Sequence, residues 1–327
     1  MKRNRIVPLL AATLAAALAV CTVLTGCTLR QGMHTAAENA AEPYITFTDD
    51  AGREISLAQA PQRTAVLFSS YAEIWTLAGG DIAVTVGETA ERGIVPADTP
   101  LVDSGAGKTV NTELLLSLEP DFVICSQDIA AQAECASLLY DAGIAAAAFS
   151  VESFDDYLSL LDLFCTITGN RDAYDVYGTE QKEQIDALLT RAEAQPVTPR
   201  ILFIRAATGA KSTKAKCADD HFAAAMLDAL GCENIADAAP VLIDGLSIEA
   251  ILTENPDVIF ISAMGDEDAV RTYMDGVLAE ETWQTLDAVQ SGRVYYLDKS
   301  LFQYKPNARW YEAYLTLYRL VYGDDAP

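Results

Sequence analysis

Residues 112–126, TELLLSLEPDFVICS, and residues 248–262, IEAILTENPDVIFIS, share a pattern that decides the fold. Each has a glutamate at its second position, an apolar helical stretch, a Pro-Asp pair and an apolar run that ends in serine. Proline disfavours the helical conformation of the residue before it, so a helix ends there. Both copies therefore predict one helix-to-strand step of an α/β fold, and their separation along the chain predicts two similar lobes.

Strand-like apolar runs alternate with amphipathic helical stretches on both sides of this pair, which is typical of α/β proteins with mainly parallel sheets. A hairpin signal, ITFTDDAGREISL, opens the series at 45–57. Further strands are predicted at 64–68, 82–86, 122–125, 144–149, 201–204, 258–261 and 294–297. Residues 153–197 carry no strand signal and predict helix, interrupted at Gly169 and Gly178. The predicted order is lobe, long helical segment, lobe.

The first 27 residues have a basic start, an apolar run and a small-residue end, which indicate an export signal. Residues 24–27, LTGC, resemble the lipobox of bacterial lipoproteins, in which the cysteine, here Cys27, becomes the lipidated first residue of the mature chain. A simple secretory signal or a transmembrane anchor is the alternative. We predict a signal peptide over 1–26, a lipid-anchored flexible tether over 27–43, an N-terminal α/β lobe over 44–152, a helical segment over 153–197 and a C-terminal α/β lobe over 198–327.

Charge is distributed unevenly along this acidic chain. Without Lys2, Arg3 and Arg5 it keeps 19 Lys and Arg against 47 Asp and Glu, a net charge of −28. Such acidity argues against nucleic acid as a partner. Two segments that follow predicted strands nevertheless contain no acid, at 194–218 and 299–311. These two basic segments predict an anionic ligand.

Cations in these segments are candidate ligand-binding residues, because the loops at the carboxyl ends of strands carry the ligand sites of two-lobed α/β proteins. The candidates are Arg205, Lys214, Lys216, Lys305 and Arg309, together with Lys108 in the loop SGAGKTVN before the first paired motif. Arginine is suited to paired hydrogen bonds with an anion, and lysine acts as a point charge. A solvated face is the alternative for each lysine.

Three aromatic residues near predicted strand ends are further ligand-binding candidates. Tyr71 lies in FSSYAEIW after the first strand, and Tyr304 and Trp310 lie in the second basic segment. They could give flat apolar contacts or phenol hydrogen bonds, and each fits a core position equally well. Among the cysteines, Cys125 and Cys165 are expected as buried thiols, while a Cys217–Cys232 bridge stays open.

In this order the motifs resemble the substrate-binding lipoproteins of bacterial ABC importers for iron complexes and corrinoids. The resemblance covers residues 45–322 and rests on TFTDDAGREISLAQAPQRTAVL (46–67), NTELLLSLEPDFVI (111–124), LSIEAILTENPDVIFIS (246–262) and WQTLDAVQSGRVYYLD (283–298). It implies two Rossmann-like lobes with mainly parallel sheets, joined by one long rigid helix as in class III periplasmic binding proteins. It also implies a monomeric, non-enzymatic receptor without a cofactor, lipid-anchored outside the cytoplasm, that serves a permease and its ATPase.

The same resemblance gives roles to the paired glutamates. In that family the matching residues, here Glu113 and Glu249, meet arginines of the membrane permease. A local role is the alternative, since Asn111 or Thr112, and Ser247, are possible N-caps and a carboxylate stabilises a first helical turn. Both roles are compatible.

The resemblance leaves the ligand open among three iron or cobalt complexes. A ferric siderophore fits a basic cleft without any protein ligand to iron, and we expect it first. Haem carriers of this family ligate iron through Tyr, His or Met; SGAGKTVN offers none of these, although Tyr71 or Tyr304 could serve. A corrinoid is the third expectation. A site for bare zinc or manganese is not predicted, because His34 and His221 are the only histidines.

An exported enzyme with an α/β fold is the distant alternative. SGAGKT at 104–109 resembles a phosphate-binding loop, but that motif requires a glycine where Val102 stands. We therefore predict a carrier and no catalytic or metal-ligating residues.

Overall fold

Each paired motif supplies an inner strand of its own sheet. The structure, a computed structural model, describes residues 42–103 and 109–323. Its strands are β1 (Ile45–Thr48), β2 (Glu54–Leu57), β3 (Thr64–Val66), β4 (Val84–Thr85), β5 (Phe122–Ser126), β6 (Ala146–Phe149), β7 (Arg200–Ala206), β8 (Lys214–Ala215), β9 (Glu233–Asn234), β10 (Val258–Ala263) and β11 (Val294–Leu297). The first lobe is built on the parallel sheet β4–β3–β5–β6. The second lobe is built on β11–β10–β7–β8 with β9 also beside β7, where β8 alone of these five runs antiparallel.

Helices connect the strands and cover the sheets. They are α1 (Ser69–Leu77), α2 (Gly87–Glu91), α3 (Thr112–Ser117), α4 (Ala130–Asp141), α5 (Phe154–Thr168), α6 (Arg171–Tyr174), α7 (Glu180–Glu193), α8 (Phe222–Ala229), α9 (Ile235–Ala238), α10 (Val241–Asp244), α11 (Ile248–Glu254), α12 (Glu267–Leu278), α13 (Asp287–Gln290), α14 (Lys299–Phe302) and α15 (Trp310–Tyr322). The predicted α/β fold class, with mainly parallel sheets, is confirmed. None of these helices is long and apolar enough to cross a membrane.

The two motifs have the same local anatomy. Helices α3 and α11 are followed by Glu119 and Asn255, which both have a positive φ (48° and 41°) and directly precede the prolines. The aspartate after each proline then accepts backbone N–H groups at the start of the neighbouring strand: Asp121 from Arg63 at 2.9 Å and Asp257 from Arg200 at 2.8 Å. Pro-Asp is therefore a structural clamp between adjacent strands.

Three apolar clusters fill the molecule. One lies on the β5 face of the first sheet that carries Val123 and Cys125, and a second lies on the β10 face of the second sheet that carries Ile259 and Ile261. The third and largest joins the opposite faces of both sheets, where Phe122 and Phe260 point, through the helices between them. The lobes therefore share one core, and the chain from Ile45 onward forms one compact unit.

The helical segment differs in detail from one unbroken helix. Gly169 ends α5 with a φ of 76°, and the chain restarts as α6 at Arg171. From there the helix continues to Glu193 through one π turn, Asp175–Thr179. Gly178 lies inside this π turn and does not interrupt the helix. A Cβ at this position would come within 3.2–3.3 Å of Leu158 and Tyr174, so glycine permits close packing here. The exact lobe boundaries stay a prediction.

Cysteines of the described chain are all free, including Cys217 and Cys232. Burial is the largest of the effects that raise the pKa of the Cys217 and Cys232 thiols, each to about 12. Both thiols are therefore protonated at neutral pH and poor nucleophiles.

Candidate functional site

A cavity of about 620 Å³ lies between the lobes, lined by residues that follow the carboxyl ends of strands in both sheets. This volume is in the usual range for small-molecule sites, and the position is the one expected for α/β lobes. The first lobe contributes Phe68, Ser69, Glu88, Asp128 and Glu152 to its wall, among others. The second lobe contributes Arg205, Asp220, His221, Phe222, Tyr304 and Lys305, with Gln303 beside them.

The first-lobe wall is acidic. Glu88 stands in the first turn of α2 and accepts a 2.5 Å hydrogen bond from the Ser69 hydroxyl. Asp128 follows β5 and accepts a 2.7 Å bond from the Ser150 hydroxyl. Behind this wall, burial raises the pKa of Asp50, and Asp156, Asp49 and Asp128 add to the effect. Negative charge is therefore concentrated on this side of the cavity.

The second-lobe wall is basic. Arg205 lies near the carboxyl end of β7 and lines the cavity. Its Nε is buried without a hydrogen-bond partner in the described chain. His221 is buried, and burial followed by the charges of Lys305, Arg205 and Lys216 lowers its pKa to about 3. Its Nδ1 accepts the Ala223 N–H at 3.2 Å and caps α8, so the neutral ring carries its proton on Nε2. His221 thus offers a donor, not a charge.

An ion pair crosses from one lobe to the other at the cavity. Lys305 Nζ lies 3.0 Å from a carboxylate oxygen of Glu152 and 4.7 Å from the centre of the Phe222 ring. Burial lowers the pKa of Lys305, and Glu152 opposes that shift. The pair links the two walls of the cavity through one contact between the lobes.

A second contact between the lobes involves Tyr304. The guanidinium carbon of Arg92, from the first lobe, lies 4.5 Å from the centre of the Tyr304 ring, and Arg92 also pairs with Glu73 at 2.6 Å. The Asn307 amide donates to Glu73 at 2.9 Å and to the Ser70 carbonyl at 3.0 Å. The Tyr304 ring at the cavity wall is therefore in contact with a cation of the opposite lobe.

Arg205, Tyr304 and Lys305 are the sequence candidates that the structure brings together in the cavity. Lys216 lies just outside it and pairs with Asp220 at 2.8 Å. Lys214 is opposite Arg205 in the β7–β8 pairing and does not line the cavity. Arg309 pairs with Glu312 at 2.6 Å on an exposed helical turn, so its charge is used locally. Lys108 and Cys27 lie outside the described residues.

Two aromatic candidates belong to the core instead. Tyr71 is fully buried, and its hydroxyl donates to the Phe149 carbonyl at 2.8 Å, so no part of the side chain reaches the cavity. Trp310 is also buried and packs 5.9 Å from Phe222, one layer behind the wall. Of the two alternatives that the sequence left open for these rings, the core position is the observed one.

The acidic wall is the part of the site that the sequence reasoning missed. Glu88, Asp128 and Glu152 each stand two or three residues after the end of a strand, as the basic candidates do. The same rule would have found them, but in an acidic chain they did not stand out. Their presence corrects the expectation of a uniformly basic cleft.

Glu113 and Glu249 are both exposed in the first turns of α3 and α11. The Asn111 side chain accepts the Leu114 N–H at 3.0 Å and caps α3, while Ser247 makes no such bond. Neither glutamate acts as an N-cap, and both exposed carboxylates are available to a partner. Ser126 and Ser262, which end the two motifs, are buried and do not line the cavity.

The described residues contain no cluster of three or more His, Cys, Asp or Glu side chains that could hold a metal ion. Tyr304 and His221 are the lining residues whose side chains are of the type that ligates haem iron.

Known structures share this architecture. An ABC transporter substrate-binding protein from Listeria monocytogenes EGD-e matches with a TM-score of 0.66 and 19% identity, over 81% of this chain and 100% of its own. The periplasmic haem-binding protein RhuT from Roseiflexus sp. RS-1, in apo form, matches at 0.65 and 20%, over 80% and 98%. IsdE of S. aureus, complexed with haem, matches at 0.65 and 16%, over 80% and 98%. At these identities the likeness is one of fold.

A search of curated proteins finds no match for the chain. A family model described as periplasmic binding protein, by contrast, matches residues 64–301. This stretch runs from β3 through α14 and includes both sheets, both motifs and most of the cavity wall. The chain belongs to the periplasmic binding protein family.

Proposed function

We propose that this protein is the substrate-binding component of an ABC importer, and that it captures an iron complex, a ferric siderophore first, between its lobes. The cavity carries the proposal: it lies between the lobes, has the volume of a small-molecule site, and offers unpaired charged groups on rigid elements. Solved structures with the same fold include an ABC transporter substrate-binding protein and a haem-binding protein, which supports the proposal. A carrier of this kind performs no chemistry on its ligand.

Haem is the second candidate, favoured by the haem-binding proteins among the structural relatives. His221 is poorly prepared to ligate iron, because Nε2 carries the proton while Nδ1 is used by the Ala223 N–H. Ligation through Nε2 would require that proton to leave and the helix cap to break. Tyr304 is then the remaining ligand of haem type at the wall, and a siderophore needs neither residue.

The proposal places the protein outside the cytoplasm, anchored through Cys27 and acting as a monomer. Glu113 and Glu249 would meet cationic side chains of the permease, one from each lobe. Exposure of both carboxylates in matching helical turns supports this role. Nucleic acid is not a partner in this proposal.

A fluorescence titration tests the ligand class. Trp310 lies one layer behind the cavity wall and serves as reporter, with Trp75 and Trp283 elsewhere in the core. We expect saturable quenching by ferric hydroxamate or catecholate complexes, and weaker or no saturation by haemin and cyanocobalamin. Arg205→Met should weaken binding about tenfold or more. Lys214→Met is the matched control, since it removes a cation from the paired strand outside the cavity.

Saturation by haemin alone would exchange the first and second candidates. No response to any of these complexes would contradict the proposal, as would phosphate release from ATP by the purified protein, which indicates an enzyme.

A further inference from the structure

Of the six charged side chains that line the cavity, three are paired within the described chain and three are not. Glu152 pairs with Lys305, and Asp220 pairs with Lys216. Glu88 and Asp128 have no Lys or Arg nitrogen within 4.0 Å, and Arg205 has no carboxylate within that distance, among residues 42–103 and 109–323. The unpaired charges are therefore two negative and one positive.

These three charges are separated by lobe. Glu88 and Asp128 belong to the first lobe and are each held by a serine hydroxyl, from Ser69 and Ser150. Arg205 belongs to the second lobe, where β7 fixes its backbone by pairing with both β8 and β10. The unpaired charge of the cavity is therefore negative on the side of the first lobe and positive on the side of the second lobe.

The surroundings preserve this separation. On the positive side, His221 stays neutral and adds no charge, while Lys305 and Lys216 lie close enough to lower its pKa. On the negative side, partial desolvation, followed by the charges of Asp156, Asp49 and Asp128, raises the pKa of the exposed Asp50 carboxyl. The Ser69 and Ser150 hydroxyls donate to Glu88 and Asp128 and so fix where the two carboxylates lie in the first-lobe wall.

Ligand binding removes water from these groups. An unpaired charge that loses its water without gaining a partner is costly, and like charges placed together are unfavourable as well. A uniformly anionic complex would satisfy Arg205 and bring negative charge against Glu88 and Asp128. A ligand with a charge of each sign would satisfy both walls.

We infer that the ligand is dipolar: a metal complex that places a cationic group, such as an ammonium, against Glu88 and Asp128, and a carboxylate or similar anionic group against Arg205. This inference rests on the proposed function and narrows its substrate class. Selectivity for the sign and position of charge then comes from the two walls, and not from the iron centre that all such complexes share.

Four synthetic ferric tris-hydroxamate complexes of one skeleton test it. One carries a pendant ammonium, one a pendant carboxylate and one both groups. The fourth is a neutral control that carries an acetamide at each of the two positions. The expected affinity for the purified protein is highest for the complex with both groups. The carboxylate-only complex is expected to bind at least about tenfold more weakly, because it leaves the acidic wall unpaired.

Variants assign each preference to its wall. Glu88→Gln and Asp128→Asn should each reduce the preference for the ammonium, and Arg205→Met should remove the preference for the carboxylate. Glu91→Gln, an exposed glutamate in the same helix as Glu88, and Lys214→Met are the matched controls and should leave both preferences unchanged. Circular dichroism melting of each variant verifies that it folds.

The outcomes separate the two proposals. If no complex of the set, nor any natural siderophore or haemin, binds, the proposed function fails. If all four bind equally, or if the ammonium preference survives in both Glu88→Gln and Asp128→Asn, the dipolar inference is wrong while the proposed function stands.

Discussion

His221 shows how one residue serves both the fold and the cavity. Its ring packs 4.7 Å from Phe203 and 4.9 Å from Phe222, and its Nδ1 caps α8. Burial, followed by the charges of Lys305, Arg205 and Lys216, lowers its pKa from the ordinary 6.5 to about 3, and protonation would also remove the acceptor that caps α8. The folded protein therefore excludes a proton that the unfolded chain accepts.

This difference predicts a pH dependence of stability. The contribution of neutral His221 is complete above pH 6.5 and is lost as the pH falls towards 3, at about 1.4 kcal/mol per pH unit. His221→Asn keeps an acceptor for the Ala223 N–H and cannot titrate. Urea unfolding at pH 7.0 and 4.5 should show a loss of stability smaller by about 2.5 kcal/mol in the variant than in the native chain. An equal loss in both would show that His221 titrates normally.

The sequence predicts which residues line the cavity where one rule is sufficient, namely that ligand sites lie at the carboxyl ends of parallel strands. Arg205 near the carboxyl end of β7, and Tyr304 and Lys305 after β11, reach the cavity as the rule requires. Tyr71 also follows a strand, but it stands on the inner face of α1, and the carbonyl of Phe149 that takes its hydroxyl is 78 residues away. Such long-range packing leaves no local signal, and neither does the pairing that removes Arg309 from the site.

At the scale of elements, the two motifs are one structural device used twice with different residues. Each helix is followed by a residue in the left-handed conformation that directly precedes the proline. The aspartate after the proline then accepts a backbone N–H at the start of the neighbouring strand. Asparagine adopts the left-handed conformation readily, and the Asn255 side chain also donates to Asp287 at 2.7 Å. In Glu119 the Cβ makes the same conformation sterically unfavourable, and no side-chain contact in the described chain compensates for it. The sequence predicted the helix-to-strand step, but the left-handed turn is visible only in the backbone.

Glu119→Asn should therefore stabilise the protein. The left-handed conformation costs less for asparagine than for glutamate, and we expect a gain of about 0.5–1 kcal/mol in the free energy of unfolding. Urea denaturation at neutral pH measures it. Glu134→Asn, in the exposed face of α4, is the control, where the same exchange should cost a few tenths of a kcal/mol, roughly, through helix propensity. A loss of stability at Glu119 would show that its turn is not strained.

At the scale of the whole molecule, the shared core limits how the lobes can move. Phe122 of one sheet, Phe260 of the other and the helices between them belong to the same apolar cluster. Lys305–Glu152 and Arg92–Tyr304 add two polar contacts between the lobes. Large hinge motion would break all of these together, so ligand binding is expected to change the cavity more than the outer surface. A permease would then meet Glu113 and Glu249 at a nearly constant separation.

This geometry makes the docking role separable from ligand binding. Glu113 and Glu249 are exposed, do not line the cavity, and stand in first helical turns whose caps do not depend on them. Reversal of both to Arg should lower cellular uptake of a labelled iron complex about tenfold or more, through repulsion from permease cations, while ligand affinity of the purified protein is unchanged. Glu134→Arg with Glu267→Arg reverses exposed charges elsewhere on the same lobes and should not affect uptake. Normal uptake by the Glu113→Arg, Glu249→Arg double variant would assign both glutamates to helix stability alone.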